Sequence, residues 1–161
     1  MPGGDDAPGS DDALDPDRGL DTAAVRAHLL DERRALIATV ADCADAVAAG
    51  WDGESTTDPD LVTGPLRATL ERAGVLGEFP TVLRECVTAA GGRLRAEPVP
   101  APPYVVVTSV GPVLRATLED GRLVVTLRTF AVERPEEGGP ARYVRTGLDE
   151  AGMVDVAVRG R

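Results

Sequence analysis

The sequence predicts an α+β fold: three N-terminal helices, the first one long, followed by an antiparallel sheet of four to six strands. Apolar residues recur at helical spacing up to residue 92 and at a spacing of two after residue 104. Between the two lies Pro98-Val99-Pro100-Ala101-Pro102-Pro103, which neither a helix interior nor a central strand accepts. Charge divides along the same seam. Residues 1–92 hold 18 acids and 7 arginines, a net −11, whereas residues 93–161 hold 9 acids and 10 arginines, a net +1.

Residues 1–19 place Asp5, Asp6, Asp11, Asp12, Asp15 and Asp17 among Gly and Pro with almost nothing apolar to bury, and predict a disordered acidic tail. Residues 20–161 predict one domain, with a helical half (20–92), the proline-rich connector (98–103) and a β half (104–161). Asp21 is a good N-cap, and from there Val25, Leu29, Leu36, Val40, Cys43 and Val47 recur at spacings of three, four or seven until Gly50. Leu30, Ile37 and Ala44 widen that stripe, while Asp31, Arg34, Asp42 and Asp45 lie opposite, as in one long amphipathic helix. Residues 51–63, with Trp51, read as a loop. Pro65 suits a first turn, Leu66 and Leu70 share a face, and Gly74 is placed to end a short second helix. Pro80 opens a third, which carries Phe79, Val82, Leu83, Cys86, Val87 and Ala90 on one face ahead of Gly91-Gly92.

In the β half, Asp120-Gly121 is the strongest hairpin signal. Pairing outward from it sets Leu118 against Leu123, Ala116 against Val125 and Leu114 against Leu127 on a core face. The other face then carries Glu119 opposite Arg122, Thr117 opposite Val124, Arg115 opposite Thr126 and Val113 opposite Arg128. Residues 104–110 predict a strand before the hairpin, and residues 142–146 one after the 135–140 loop. Val154, Val156 and Val158 alternate in a last strand.

Seventeen arginines and no lysine stand against 27 acidic residues, and asparagine and glutamine are absent too. Without an amine side chain, Schiff-base chemistry, pyridoxal phosphate anchoring, the P-loop lysine and the kinase strand lysine are all excluded. In composition and layout the chain resembles the small acidic proteins of halophilic archaea. That resemblance carries no functional motif and implies a saline setting, where screening over roughly 3 Å at molar salt makes a net charge of −10 tolerable. No apolar run approaches the ~20 residues of a membrane span, and the acidic N-terminus is unlike a secretory signal, so the cytoplasm is the expected location.

Few residues offer chemistry. His28 is the only histidine, with Glu32 one turn on; the pair could line a pocket, but a zinc site wants four ligands. Cys43 and Cys86 fall on core stripes without a basic neighbour to lower a pKa. Serine occurs only at positions 10, 55 and 109, never in G-x-S-x-G. No catalytic residue, metal or cofactor is expected. Residues 66–90 admit a helix-turn-helix reading with the hairpin as a wing, yet Arg84 and Glu85 are a poor substitute for a basic cluster. The second face of the sheet is more suggestive, because Arg115, Arg128, Phe130, Tyr143 and Arg145 would gather there.

The function expected is a non-enzymatic binding or assembly module using that arginine and aromatic face, with a protein partner or a second copy as occupant. Nucleic acid and membranes are not expected. One alternative is a ligand carrier or enzyme with a pocket between long helix and sheet, as in cone-shaped folds similar to the nuclear-transport-factor-2-like group. The other is an acidic winged-helix regulator.

Overall fold

Asp21 caps the first helix from the side chain, its Oδ1 accepting the Ala24 N–H at 3.0 Å. The computed structural model describes residues 19–160, so residues 1–18 of the expected tail lie outside the described residues. Helix α1 spans Thr22–Glu32 and α2 spans Arg34–Ala49. The expected long helix is therefore two. Arg33 leaves helical geometry at φ −125° and ψ 21°, although its N–H still reaches Leu29 O at 2.9 Å and its carbonyl still accepts from Ile37. No Gly or Pro marks the kink. Its visible partner is distant, since the Arg33 guanidinium is bound to Glu85.

Helices α3 (Thr63–Arg72) and α4 (Phe79–Ala89) follow, with Gly74 at φ +80° turning the chain between them. The connector carries no helix or strand up to β2 (Val105–Val107). Next come β3 (Pro112–Leu118), β4 (Gly121–Leu127), β5 (Phe130–Glu133), β6 (Arg142–Arg145), a short α5 (Glu150–Met153) and β7 (Val154–Arg159). The α+β layout stands, helices first and antiparallel strands after. The strands form two sheets, however. One has the order β2-β3-β4-β7; the other is β1-β6-β5, where β1 (Ser55–Thr56) comes from the segment expected as a loop.

Thr129 makes the corner between the sheets. It is fully buried, its N–H and Oγ1 both donate to Val110 O, and its own carbonyl accepts from the Thr146 N–H and the Arg145 guanidinium. A strand continuing straight from β4 would leave those groups unpaired.

The helices lie against one face of the four-stranded sheet, α1 against β7 and α4 against β3. Burial alternates along β3 and β4 accordingly, with Leu114, Ala116, Leu118, Leu123, Val125 and Leu127 buried. These join Val25, Leu29, Leu83 and Val87 in one continuous core, which fills the space between helices and sheet. Arg26 ties α1 to the α5–β7 junction, donating to Val154 O at 2.7 Å and Ala151 O at 2.6 Å.

Candidate functional site

The site is built by strand alternation. With Leu114, Leu123 and their neighbours turned to the core, Arg115 and Thr117 of β3, Arg122 and Val124 of β4, and Ala157 and Arg159 of β7 face the other way. On that side Thr117, Arg122 and Arg159 are exposed. Arg115 lies opposite Val124; its backbone N–H donates to Tyr104 O at 2.8 Å, which extends the ladder one residue beyond β2. Thr117 lies opposite Arg122, and Arg122 opposite Arg159.

Pro103, Tyr104, Arg115, Thr117 and Arg122 line a groove of about 250 Å³ on this face. Two features of it are costly to the isolated protein. Arg115 Nε is buried and finds no acceptor, although a buried polar group is nearly always paired. Arg122 and Arg159 are like charges in directly opposed positions, and among the described residues neither they nor Arg115 nor Arg128 forms an ion pair. A carboxylate between Arg122 and Arg159 would offset the second.

The residues expected to share one face do not. Arg115 is on it. Arg128 is exposed just past the other end of β4, six residues or about 20 Å along the chain from Arg122. Phe130 is 1% exposed and stacks at 5.6 Å on Trp51, as a core residue. Tyr143 is half-buried in the second sheet, opposite Val132 and Thr56. Arg145 is a clamp, its side chain 16% exposed: Nε donates to Asp45 at 2.8 Å, Nη1 to Thr129 O and Thr146 O, and Nη2 to Ala41 O. The corner at Thr129 separates these residues; a face read straight through residues 128–130 assumes one sheet.

His28 and Glu32 do not come together either. His28 Nε2 hydrogen-bonds Glu85 Oε1 at 2.8 Å, and Arg33 binds both oxygens of the same carboxylate. Those bonds hold the Glu85 carboxyl at about 2, far below the ordinary glutamate range. Glu32 is exposed, beside a different groove shared with Arg33, Thr39 and Glu78. Glu85, the acidic half of the helix-turn-helix candidate, is thus spent on α1. Both cysteines are buried; burial pushes the Cys86 thiol up to about 12 and raises Cys43, whose Sγ donates to Thr69 O. Among the described residues no three His, Cys, Asp or Glu side chains converge as metal ligands would, and no helix is long and apolar enough to cross a membrane.

Arg122, Arg159 and Tyr104 are the site residues that sequence reasoning missed. A signal for Arg122 existed, because hairpin alternation puts it on the face of Arg115, but the expected register cancelled its charge against Glu119. In the structure the register slips by two residues: Leu118 pairs with Gly121, and Glu119-Asp120 forms the turn. The faces are kept and the partners change.

Fold and site together define an α+β protein with one sheet face covered by helices and the other open and arginine-bearing. The chain belongs to a family described as a domain of unknown function, DUF7988, whose model matches residues 23–159. No curated protein and no solved structure matches it.

Proposed function

We propose that this protein is a non-enzymatic binding module and that the open face of its four-stranded sheet takes an acidic segment of a protein partner. The orphaned donor carries the reading. An unmade hydrogen bond from a buried group costs about 1–3 kcal/mol, and a carboxylate that Arg115 Nε meets when the guanidinium turns into the groove removes that cost. Arginine suits the task because its planar fork binds carboxylates in bidentate fashion. Between Arg122 and Arg159, a second carboxylate replaces a repulsion of roughly 0.7 kcal/mol, taken at about 6 Å in water, with two attractions. A groove of about 250 Å³ holds a side chain or two, less than the roughly 300–1,000 Å³ of small-molecule sites. A long nucleic-acid strand would meet the net charge of −10 beyond the arginines, whereas a short peptide need not.

Catalysis has less support. Glu85 occupies His28, and Cys86 is protonated at neutral pH. The test is fluorescence anisotropy of a fluorescein-labelled aspartate hexapeptide at low ionic strength. Arg122→Ala and Arg159→Ala should each weaken binding about tenfold with little loss of stability, since exposed arginines contribute about 0–1 kcal/mol to the fold. Equal binding by native protein and both variants, or none by any, overturns the reading.

The setting we propose is a saline cytoplasm such as that of a halophilic archaeon. What supports it is an excess of 27 acids over 17 arginines with no lysine. Circular dichroism should show the unfolding midpoint rising between low and molar potassium chloride as carboxylate repulsion is screened. An unchanged midpoint removes this part of the reading.

A further inference from the structure

The described chain begins at a fixed point on the fold. Leu20 is buried, the Asp21 N–H donates to Ala90 O at 3.0 Å, and a Cβ built on Gly19 would lie 3.9 Å from Asp120 O, at the tip of the β3–β4 hairpin. Gly19, the first described residue, therefore sits at that tip. Arg122 is the second residue past Asp120, with Thr117 directly opposite it and Arg159 on its other side. The 18 residues that precede Gly19 carry Asp5, Asp6, Asp11, Asp12, Asp15 and Asp17 against a single Arg18. Their contour of up to about 60 Å far exceeds the distance from tip to groove.

We infer that residues 1–18 are a built-in competitor for the open sheet face, their aspartates occupying the positions on Arg115, Arg122 and Arg159 that an acidic partner takes. The inference rests on the reading proposed above. It follows from tethering: a segment attached beside its own site is presented at an effective concentration in the millimolar range, so even weak carboxylate–guanidinium contacts hold it there until a better ligand arrives. Because those contacts are ionic, rising salt releases the segment.

Two readouts on the full chain separate the inference from the reading beneath it. First, the chain has no lysine, so an amine-reactive fluorophore labels only the N-terminal amine. Its anisotropy should be high at low ionic strength and fall both in molar potassium chloride and in the Arg122→Ala, Arg159→Ala double variant. Equal anisotropy in native and double-variant protein at low salt overturns the inference, as does a concentration-dependent elution volume that the double variant abolishes, which would give the face to a second copy. Second, the six aspartates are changed together to asparagine and the labelled aspartate hexapeptide is titrated. About tenfold tighter binding than native is expected, the size of effect that displacing a tethered competitor produces. Unchanged affinity that still depends on Arg122 and Arg159 overturns the competitor and leaves the binding face standing. No binding by the neutralised chain overturns the binding face itself, and the competitor with it.

Discussion

Arg33 holds Glu85 by both carboxylate oxygens, Nε to Oε1 at 2.9 Å and Nη2 to Oε2, and so joins the kink between α1 and α2 to the middle of α4. His28 completes the cluster on Oε1, with Glu78 at the margin, 3.8 Å from Arg33. The Arg33 hydrogen bonds are the largest reason that the Glu85 carboxyl sits at about 2.

The sign of its pH dependence follows. A carboxyl depressed in the folded state contributes stability in full above its unfolded pKa, near 4.3, and loses that contribution as pH falls toward about 2. Glu85 is about one-third exposed, so solvent screening limits the contribution to about 2 kcal/mol. Urea denaturation should therefore find native protein more stable than Glu85→Gln at pH 6, with the gap closing between pH 4.5 and 2. A gap independent of pH would show that the cluster acts by packing rather than by charge.

Arg145 should matter to the fold, not to binding. Its removal leaves the carbonyls of Thr129, Thr146 and Ala41 short of a donor at the junction of α2 and the second sheet. Arg145→Ala is expected to cost about 2–3 kcal/mol, a drop of roughly 5–10 °C in Tm for a chain of this size. Asp45 is 65% exposed, and Asp45→Ala should cost less than about 1 kcal/mol. Calorimetry decides; equal effects of the two changes would mean that the ion pair, and not the carbonyls, holds the junction.

Gly111 is required by a close approach. It lies at φ +149°, and a Cβ there would meet Leu127 O at 2.0 Å, a contact only backbone movement could relieve. Gly111→Ala should cost more than about 4 kcal/mol by denaturant midpoint, combining backbone strain with displacement of β4. Gly77→Ala, where a Cβ meets nothing within 4 Å, should stay within about 0.5 kcal/mol of native. Near-native stability of the Gly111 variant would mean that the turn before β3 is not held against β4 as described.

Much of the fold is legible because its signals are local. Asp21 as a cap, Pro65 and Pro80 in first turns, and Gly74 and Gly91 at positive φ after helix ends all act on residues within a turn of themselves. Alternation places Leu118 and Leu123 inside and Glu119 and Arg122 outside in the expected register and in the observed one, because the two differ by an even number of residues. The register needs more. Gly121 reads as a turn residue, yet it stands in β4 because β7 passes so close that a Cβ would lie 2.8 Å from Arg159 O. That strand arrives over 30 residues later, and it decides that Arg122 faces Thr117 and Arg159 instead of Glu119.

By itself the sequence determined the α+β order, the buried face of the helices and of the β3–β4 hairpin, and the absence of lysine chemistry. Each depends on periodicity or composition, which neighbouring residues set without reference to the rest of the chain. Only the tertiary structure decided that the strands turn a corner at Thr129, that Arg145 is consumed as a clamp, that Glu85 takes His28 from Glu32, and that Arg115, Arg122 and Arg159 share one sheet face. Those outcomes depend on which hydrogen-bonding groups, distant in sequence, find each other when the core closes, and side chains buried or bound in that closure are no longer available to a partner.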